Sequence, residues 1–123
     1  RPDEIRDGAH NPHGVAYLSE RLPPADYTVV VSILGDKDAD AMLRELARLG
    51  SRLVGTRSSS PRALPAADVA ERAGAHFAHV EAVEDPAQAV ARAHELGEPV
   101  LVTGSLYLLG DLVQGETRAA WRG

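Results

Sequence analysis

The stretch TVVVSILGDKD at residues 28–38 decides the fold. Its first part, Val29 to Leu34, is an apolar run rich in β-branched residues, and glycine and charged residues follow it directly. Runs of this kind are typical of strands that are buried on both faces, as in parallel sheets. Residues 51–56 (SRLVGT) and 99–103 (PVLVT) show a similar pattern and also end in small residues. The sequence therefore predicts a sheet whose central strands are covered on both sides.

Helical patterns separate these strands. Residues 38–49 carry apolar side chains at helical spacing, and Gly50 ends the pattern. Further helices are predicted at 12–22, 65–73, 85–96 and 105–113, and weaker strands at 4–6 and 75–80. Strands that alternate with short helices indicate βαβ units. We therefore expect an α/β fold, a three-layer Rossmann-like sandwich with a mostly parallel sheet.

Composition excludes several classes of protein. The 123 residues fit a single domain, 1–123, and the absence of cysteine excludes a disulfide framework and thiolate chemistry. The net charge of −5 argues against nucleic-acid binding, and no apolar run approaches the ~18–20 residues of a membrane span. The chain starts with Arg1 and no signal-peptide pattern, so we expect a cytoplasmic domain cut from a longer polypeptide.

The turn DGAHNPHG at residues 7–14 is the strongest candidate site. It lies between a predicted strand and a predicted helix, where ligands bind in sheets of this class. The Asp7 carboxylate can accept the hydroxyls of a ribose, and His10 and Asn11 can meet phosphate or carboxylate oxygens. The alternative is that Asn11 and its neighbours only cap and turn the helix.

Three further turns carry single candidates. Lys37, the sole lysine, follows the strongest strand; Arg62 lies in SSSPRALP; and Ser105 lies in a Thr-Gly-Ser turn. The two cations can hold phosphate or carboxylate groups, and the Ser105 turn resembles a phosphate site. The alternatives are a helix-capping turn at Lys37, an exposed flexible serine loop around Arg62, and a helix cap at Ser105.

The sequence shows neither a metal-ligand spacing nor a known nucleotide-binding or nucleophile motif. His76, His79 and His94 show no metal-ligand spacing with a carboxylate, so we expect surface or half-buried histidines and no metal site. Walker A, G-x-G-x-x-G and G-x-S-x-G patterns are absent from the sequence. This chain therefore lacks the loop that would let it handle ATP by itself.

Together, DGAHNPHG, SILGDKD, SSSPRALP and VLVTGSLYLLGDLV resemble the C-terminal domain of folylpolyglutamate synthase, in the Mur ligase superfamily. Many bacterial members are also dihydrofolate synthases. The resemblance implies an ATP-dependent ligase that adds L-glutamate to the terminal carboxylate of folate through an acyl phosphate. It also implies that an N-terminal ATPase domain, absent from this chain, holds the P-loop and Mg²⁺, and that the isolated domain is inactive.

The resemblance also assigns roles to residues. Asp7 matches an aspartate that contacts ATP, with Asn11 beside it, and His10 matches a catalytic histidine near the phosphates or the incoming amino acid. By analogy with the Mur branch, Arg62 would grip the carboxylate of glutamate, and Lys37 and Ser105 are weaker substrate-binding candidates. Arg6 departs from the family, which commonly has an apolar residue there, and this predicts a more exposed strand end.

Two alternatives remain open from the sequence. The chain can be a self-standing Rossmann-like module that binds a nucleotide or anion at residues 7–14, or the C-terminal domain of a peptidoglycan Mur ligase. Under the folate reading, the partners are L-glutamate, folate and the N-terminal ATPase domain of the same polypeptide. Nucleic acid and membrane are not expected as partners, and the expected state is a monomer.

Overall fold

Five strands alternate with five helices in the computed structural model, which describes the backbone of residues 3–122 and the side chains of residues 3–120. Residues 1, 2 and 123 of the predicted domain lie outside the described residues. The elements in chain order are β1 (Glu4–Arg6), α1 (Pro12–Arg21), β2 (Thr28–Val31), α2 (Ala39–Leu46), β3 (Arg52–Gly55), α3 (Ala66–Ala73), β4 (His79–Ala82), α4 (Pro86–Leu96), β5 (Val100–Thr103) and α5 (Leu106–Arg122).

The strands form one sheet in the order β1-β5-β2-β3-β4, and every neighbouring pair is parallel. Strand β2 therefore lies at the centre, between β5 and β3, as its apolar sequence predicts. One isolated antiparallel bridge, Leu34 to Ala63, joins the chain after β2 to the chain after β3. The predicted parallel sheet is confirmed.

Alternate residues of β2 point into two separate cores. Val29 and Val31 belong to the core that contains the apolar residues of α1, α2 and α3, whereas Val30 packs with those of α4 and α5. This alternation is the period of two that a strand imposes on its side chains. All three valines are fully buried, so the sheet is covered on both faces and the predicted three-layer sandwich is confirmed.

The fourth strand is not where the sequence predicted it. Residues 75–80 were expected to form a strand, but β4 spans His79–Ala82 and pairs with β3 through Arg52 and His79. The preceding residues extend the end of α3 instead, because the backbone N–H of Phe77 donates to the carbonyl of Ala73. Residues 75–78 are thus a turn with one buried aromatic residue, Phe77, and the predicted strand overlaps β4 only at His79 and Val80.

The last helix is longer than predicted. The apolar pattern ends near Val113, but α5 continues to Arg122. A two-bond ion pair between Arg6 of β1 and Glu116 anchors this polar extension to the sheet. Within the described part of the chain, no helix combines the length and apolar character that a membrane crossing needs.

Candidate functional site

The carboxyl ends of the strands bring the predicted site residues to one edge of the sheet. Helix α5 follows β5 on the opposite face from α1 and α2, which follow the neighbouring strands β1 and β2. Such reversals open crevices between adjacent turns, and these are the usual ligand positions in open α/β sheets. The turns after β1 and β2 are two strand spacings apart, about 10 Å.

The turn after β1 is held by its own side chains. The Oδ1 atom of Asp7 accepts a hydrogen bond from the backbone N–H of Ala9 at 2.9 Å. The Oδ1 atom of Asn11 accepts from the N–H of Gly14 at 2.8 Å and caps the N-terminus of α1. The capping alternative is therefore confirmed for Asn11, while its contact with ATP stays a prediction.

His10 lies at the tip of this turn and is exposed to solvent. Its only hydrogen bond among the described residues is local, between Nδ1 and the carbonyl oxygen of Gly8 at 3.3 Å. Gly8 allows the turn to lie directly on α5, since a Cβ atom at this position would overlap the side chain of Leu106. The turn is thus packed against α5, and the exposed imidazole of His10 remains accessible to a ligand.

The turn after β5 is bonded to the turn after β1. The N–H of Gly104 donates to the carbonyl of Ala9 at 2.9 Å. Gly104 has φ +106°, and a Cβ there would overlap the carbonyl oxygen of Ser32, so only glycine fits. Ser105 is 1% exposed, and its Oγ accepts from the N–H of Tyr107 at 3.1 Å. Its hydroxyl therefore caps α5, and the substrate-binding role stays a prediction.

The turns after β2 and β3 form a second unit at the same edge. Arg62 Nη1 pairs with Asp36 at 2.9 Å, and both side chains are about half exposed. The backbones are also joined, because Gly35 N–H donates to the carbonyl of Arg62 at 2.7 Å. Lys37 is half-buried in this unit and makes no ion pair with any described residue. The structure thus brings Lys37 and Arg62 into one unit, apart from Asp7 and His10.

The serine loop before Arg62 is partly buried. Ser58 and Ser60 are each 4% exposed, and Ser58 N–H donates to the buried hydroxyl of Ser32 at 2.9 Å. Ser59 is exposed but bonds Asp111 of α5 twice, through its N–H at 2.7 Å and its hydroxyl at 2.6 Å. The loop is therefore only partly exposed, and its serines are bonded to neighbouring backbone and to Asp111.

Two cavities lie elsewhere, on the α4–α5 face. One, of about 530 Å³, lies between these helices and contains Arg57, Asp111 and Arg118 in its wall. The other, of about 580 Å³, is lined in part by Glu4 and His94. None of the six sequence-predicted site residues lines either cavity. Arg57 can be recognised in the sequence as an arginine of the serine loop. The cavity that it lines could not be predicted, because the wall includes the part of α5 beyond the predicted end of that helix.

The three histidines predicted to lack carboxylate partners each have one. His76 lies 3.1 Å from Asp40, and His79 lies 2.6 Å from Glu81. His94 is 7% exposed, with Nε2 2.6 Å from Glu4 of β1. The pairing of His94 with Glu4 could not be predicted from spacing, because the two residues are 90 positions apart.

In the buried pair of Glu4 and His94, the surroundings favour the ionised form of the Glu4 carboxyl group. Burial alone would raise the pKa of Glu4, but hydrogen bonds from His94 and Arg6 outweigh it and hold that pKa below its ordinary value. Arg6 in turn bonds Glu116 and Glu4, which raises its pKa above the ordinary value. Arg6 is therefore half-buried in an ion network, and the predicted exposed strand end is only partly exposed.

The turn at residues 7–14 suits the ribose of a nucleotide better than its phosphates. Asp7 uses Oδ1 for Ala9 and keeps a second oxygen that bonds no other described residue. The stretch 7–14 contains neither lysine nor arginine, so it offers no permanent cation to a phosphate. Asp7 is also its only carboxylate, too few oxygen ligands for Mg²⁺. The residues fit a ribose contact and do not fit a magnesium site.

Comparisons with known proteins agree with this architecture. The fold defines a Rossmann-like α/β domain with polar turns at the carboxyl edge of its sheet. The family model of the Mur ligase glutamate ligase domain matches residues 3–106, and the chain belongs to this family.

Its relatives are folate enzymes. A dihydrofolate synthase/folylpolyglutamate synthase of Mycobacterium tuberculosis (strain ATCC 25618 / H37Rv) is 39% identical over 80 residues, covering 62% of this chain and 16% of that protein. The enzyme of the same name from Bacillus subtilis (strain 168) is 30% identical over 118 residues, covering 90% and 27%. Escherichia coli FolC, solved with ADP and without folate substrate, superposes with a TM-score of 0.80 at 29% identity, covering 99% and 30%.

These matches confirm the resemblance to the C-terminal domain of folylpolyglutamate synthase. This chain nevertheless spans only 16–30% of the length of those three proteins.

Proposed function

We propose that this chain is the C-terminal domain of an ATP-dependent ligase that joins L-glutamate to the terminal carboxylate of a folate. The observation that carries the proposal is the family match over residues 3–106, together with relatives named for this activity. The geometry supports it, because the residues that match the family motifs lie at the ligand-binding edge of the sheet. An N-terminal ATPase domain of the same polypeptide would supply the P-loop and hold Mg²⁺.

The chemistry proceeds in two steps. A phosphoryl group moves from ATP to the folate carboxylate, which forms an acyl phosphate. The amino nitrogen of glutamate then attacks the carbonyl carbon, and the carbon–oxygen bond to phosphate breaks as the amide forms. Acyl phosphates hydrolyse in water, so this reaction needs a closed and dry site. We infer that this domain supplies one wall of it.

The turn after β1 is the nucleotide side of that wall. Asp7 is positioned by the Ala9 N–H bond and offers its second carboxylate oxygen to the ribose hydroxyls of ATP. His10, exposed above the same turn, is placed to meet phosphate or the incoming amine. Asn11 acts mainly by fixing the start of α1, which sets the position of both.

The joined turns after β2 and β3 are the amino-acid side. Arg62 is the guanidinium proposed to bind the carboxylate of glutamate in bidentate fashion. Its ion pair with Asp36 holds it in place before the substrate arrives and must be shared or exchanged on binding. Lys37, without an ion pair among the described residues, supplies a second positive charge to the same unit.

Titration calorimetry of this chain with ATP and Mg²⁺ tests the division of labour between the domains. We expect weak binding or none, because residues 7–14 lack a phosphate cradle. Binding tighter than about 1 µM, equivalent to about −8 kcal/mol, would support the self-standing nucleotide module and overturn the proposal.

Substrate identity is tested on the full-length enzyme. We expect glutamate-dependent ATP hydrolysis with a folate acceptor and none with a peptidoglycan precursor; the reverse result would assign the chain to the cell-wall branch. Asp7→Asn should lower turnover there, although it keeps the acceptor for the Ala9 N–H. An unchanged turnover would remove Asp7 from the site.

A further inference from the structure

We propose that Asp3, His94 and Glu98 form a binding site for one divalent transition-metal ion, with zinc as the probe. The site lies at the opposite end of β1 from the Asp7 turn, and it does not depend on the proposed ligase activity. It would join the edge strand β1 to the C-terminal end of α4.

The three side chains already converge. Their ligand atoms all lie within 4.8 Å of one another. Nδ1 of His94 is 2.8 Å from Glu98 Oε2 and 3.9 Å from Asp3 Oδ2. Zinc binds nitrogen and carboxylate oxygen at roughly 2.0–2.2 Å, so tetrahedral ligand atoms lie roughly 3.3 Å apart. The observed separations bracket this value, and only small side-chain shifts are needed to enclose an ion.

The imidazole is oriented for coordination. Nε2 of His94 is 2.6 Å from Oε1 of Glu4, and both side chains are more than nine-tenths buried. Glu4 is itself fixed by Arg6, whose Nε donates to Oε2 at 2.7 Å. A neutral imidazole has one N–H and one lone pair. When Nε2–H donates to Glu4, the lone pair of Nδ1 points toward Glu98 and Asp3.

This arrangement is the one that histidine ligands of metals adopt. A metal-bound histidine almost always donates its other ring N–H to a carboxylate, which fixes the tautomer and the orientation of the ring. Without a cation at Nδ1, its lone pair would oppose the Glu98 oxygen at 2.8 Å. Either a second proton or a metal ion must therefore lie between them, and the experiment decides which.

The direct test is zinc titration of the chain after removal of metal with a chelator. We expect saturable binding of one ion per chain by calorimetry. Nitrogen-15 NMR of the imidazole rings should show a change at Nδ1 of His94 and none at the other four histidines, His10, His13, His76 and His79. Absence of saturable binding, or a doubly protonated His94 that zinc leaves unchanged, would overturn the proposal.

Variants assign the ligands. Glu98→Gln removes a ligand from an exposed side chain and should weaken zinc binding at least tenfold, and Glu4→Gln should weaken it about tenfold to a hundredfold through loss of the outer carboxylate. Glu95→Gln is the matched control, because Glu95 is next to the ligand His94 on α4, is 69% exposed and is not part of the cluster. Equal affinities for Glu98→Gln and Glu95→Gln would refute the site. Circular dichroism checks that each variant is folded.

Discussion

Two layers of residues at the carboxyl edge of the sheet differ in the contacts that hold them in place. One layer lies just below the protein surface, and the other lies on the surface. The inner layer consists of small buried residues: Ser32, Ser58, Thr103, Gly104 and Ser105. The first four are bonded to neighbouring turns, and Ser105 is bonded to the start of α5. The polar rim consists of charged and amphoteric side chains above it: Asp7, His10, Asp36, Lys37 and Arg62. The rim residues make local bonds or exposed ion pairs.

The difference separates two meanings of a motif residue. A buried residue such as Gly104, whose N–H is bonded to the turn after β1, sets the positions of the turns, and its replacement should change stability. An exposed residue such as Arg62 can be reached by a ligand, and its replacement should change binding with little effect on stability. Measured changes in the free energy of unfolding test this distinction between the two layers, from the largest expected change to the smallest.

The largest effect is expected for Gly104→Ala in the inner layer. A Cβ atom at this position would overlap the Ser32 carbonyl oxygen and lie 2.6 Å from Cγ2 of Val31, in a backbone with φ +106°. Strained backbone and overpacking together should reduce the free energy of unfolding by about 2–5 kcal/mol. Urea denaturation measures it. Gly110→Ala is the matched control: it meets nothing within 4 Å on α5 and should stabilise by about 0.5–1 kcal/mol.

A loss of about 1 kcal/mol is expected for Ser105→Ala, because it removes the cap of α5. Asp38→Ala is the control, since Asp38 caps α2 in the same way through the N–H of Ala41. Similar losses by urea denaturation would confirm the structural role of Ser105. A loss near zero, with a sharp fall in turnover of the full-length enzyme, would instead move Ser105 from the inner layer to the site.

Much of the fold could be predicted because it depends on local patterns. The apolar run at 29–34 predicted a strand that is buried on both faces, and β2 is such a strand. The apolar spacing at 38–49 and the glycine after it predicted a helix with one buried side, as observed for α2. The order of the strands could not be predicted, because neighbours such as β1 and β5 are far apart in sequence. The β4 boundary failed because its outward residues His79 and Glu81 are polar, as expected for an edge strand.

The candidate site could be assembled from the sequence only in part, for the same reason. The turn at residues 7–14 could be found because its candidates are consecutive. The Asp36–Arg62 pair is separated by 26 positions and the Glu4–His94 pair by 90, so neither partner could be assigned from spacing. The burial of Ser58 and Ser60 was also hidden, because a serine run reads as solvent-exposed until the turns around it are known.

A smaller effect, present at neutral pH and lost in acid, is expected at Glu81 on β4. Hydrogen bonds from Arg92 and then His79 lower its pKa from 4.5 to about 2. A lowered carboxyl pKa stabilises the folded state above 4.5, and this stability is lost as pH falls from 4.5 toward 2. Because the side chain is partly solvated, we expect only about 0.5–1 kcal/mol.

Glu81→Gln tests this value. Its free energy of unfolding should lie below that of the wild type at pH 7 and approach it near pH 3, as measured by urea titrations across that range. Glu20→Gln is the control, since Glu20 is exposed on α1 and bonds no described side chain. Parallel curves for Glu81→Gln and the wild type would show that the ion pair with Arg92 contributes nothing.

The smallest effect on stability is expected for Arg62→Ala, because its ion pair with Asp36 is about half exposed and such pairs contribute about 0–1 kcal/mol. If Arg62 binds the carboxylate of glutamate, the full-length variant should show a raised KM for glutamate with kcat little changed, the signature of lost uniform binding. Arg44→Ala is the matched control, an exposed arginine paired with Asp40 on α2. Asp36→Ala sharpens the result further: it frees Arg62, so KM should stay the same or fall. A KM that is unchanged in Arg62→Ala would leave this arginine with the Asp36 pair as its only role.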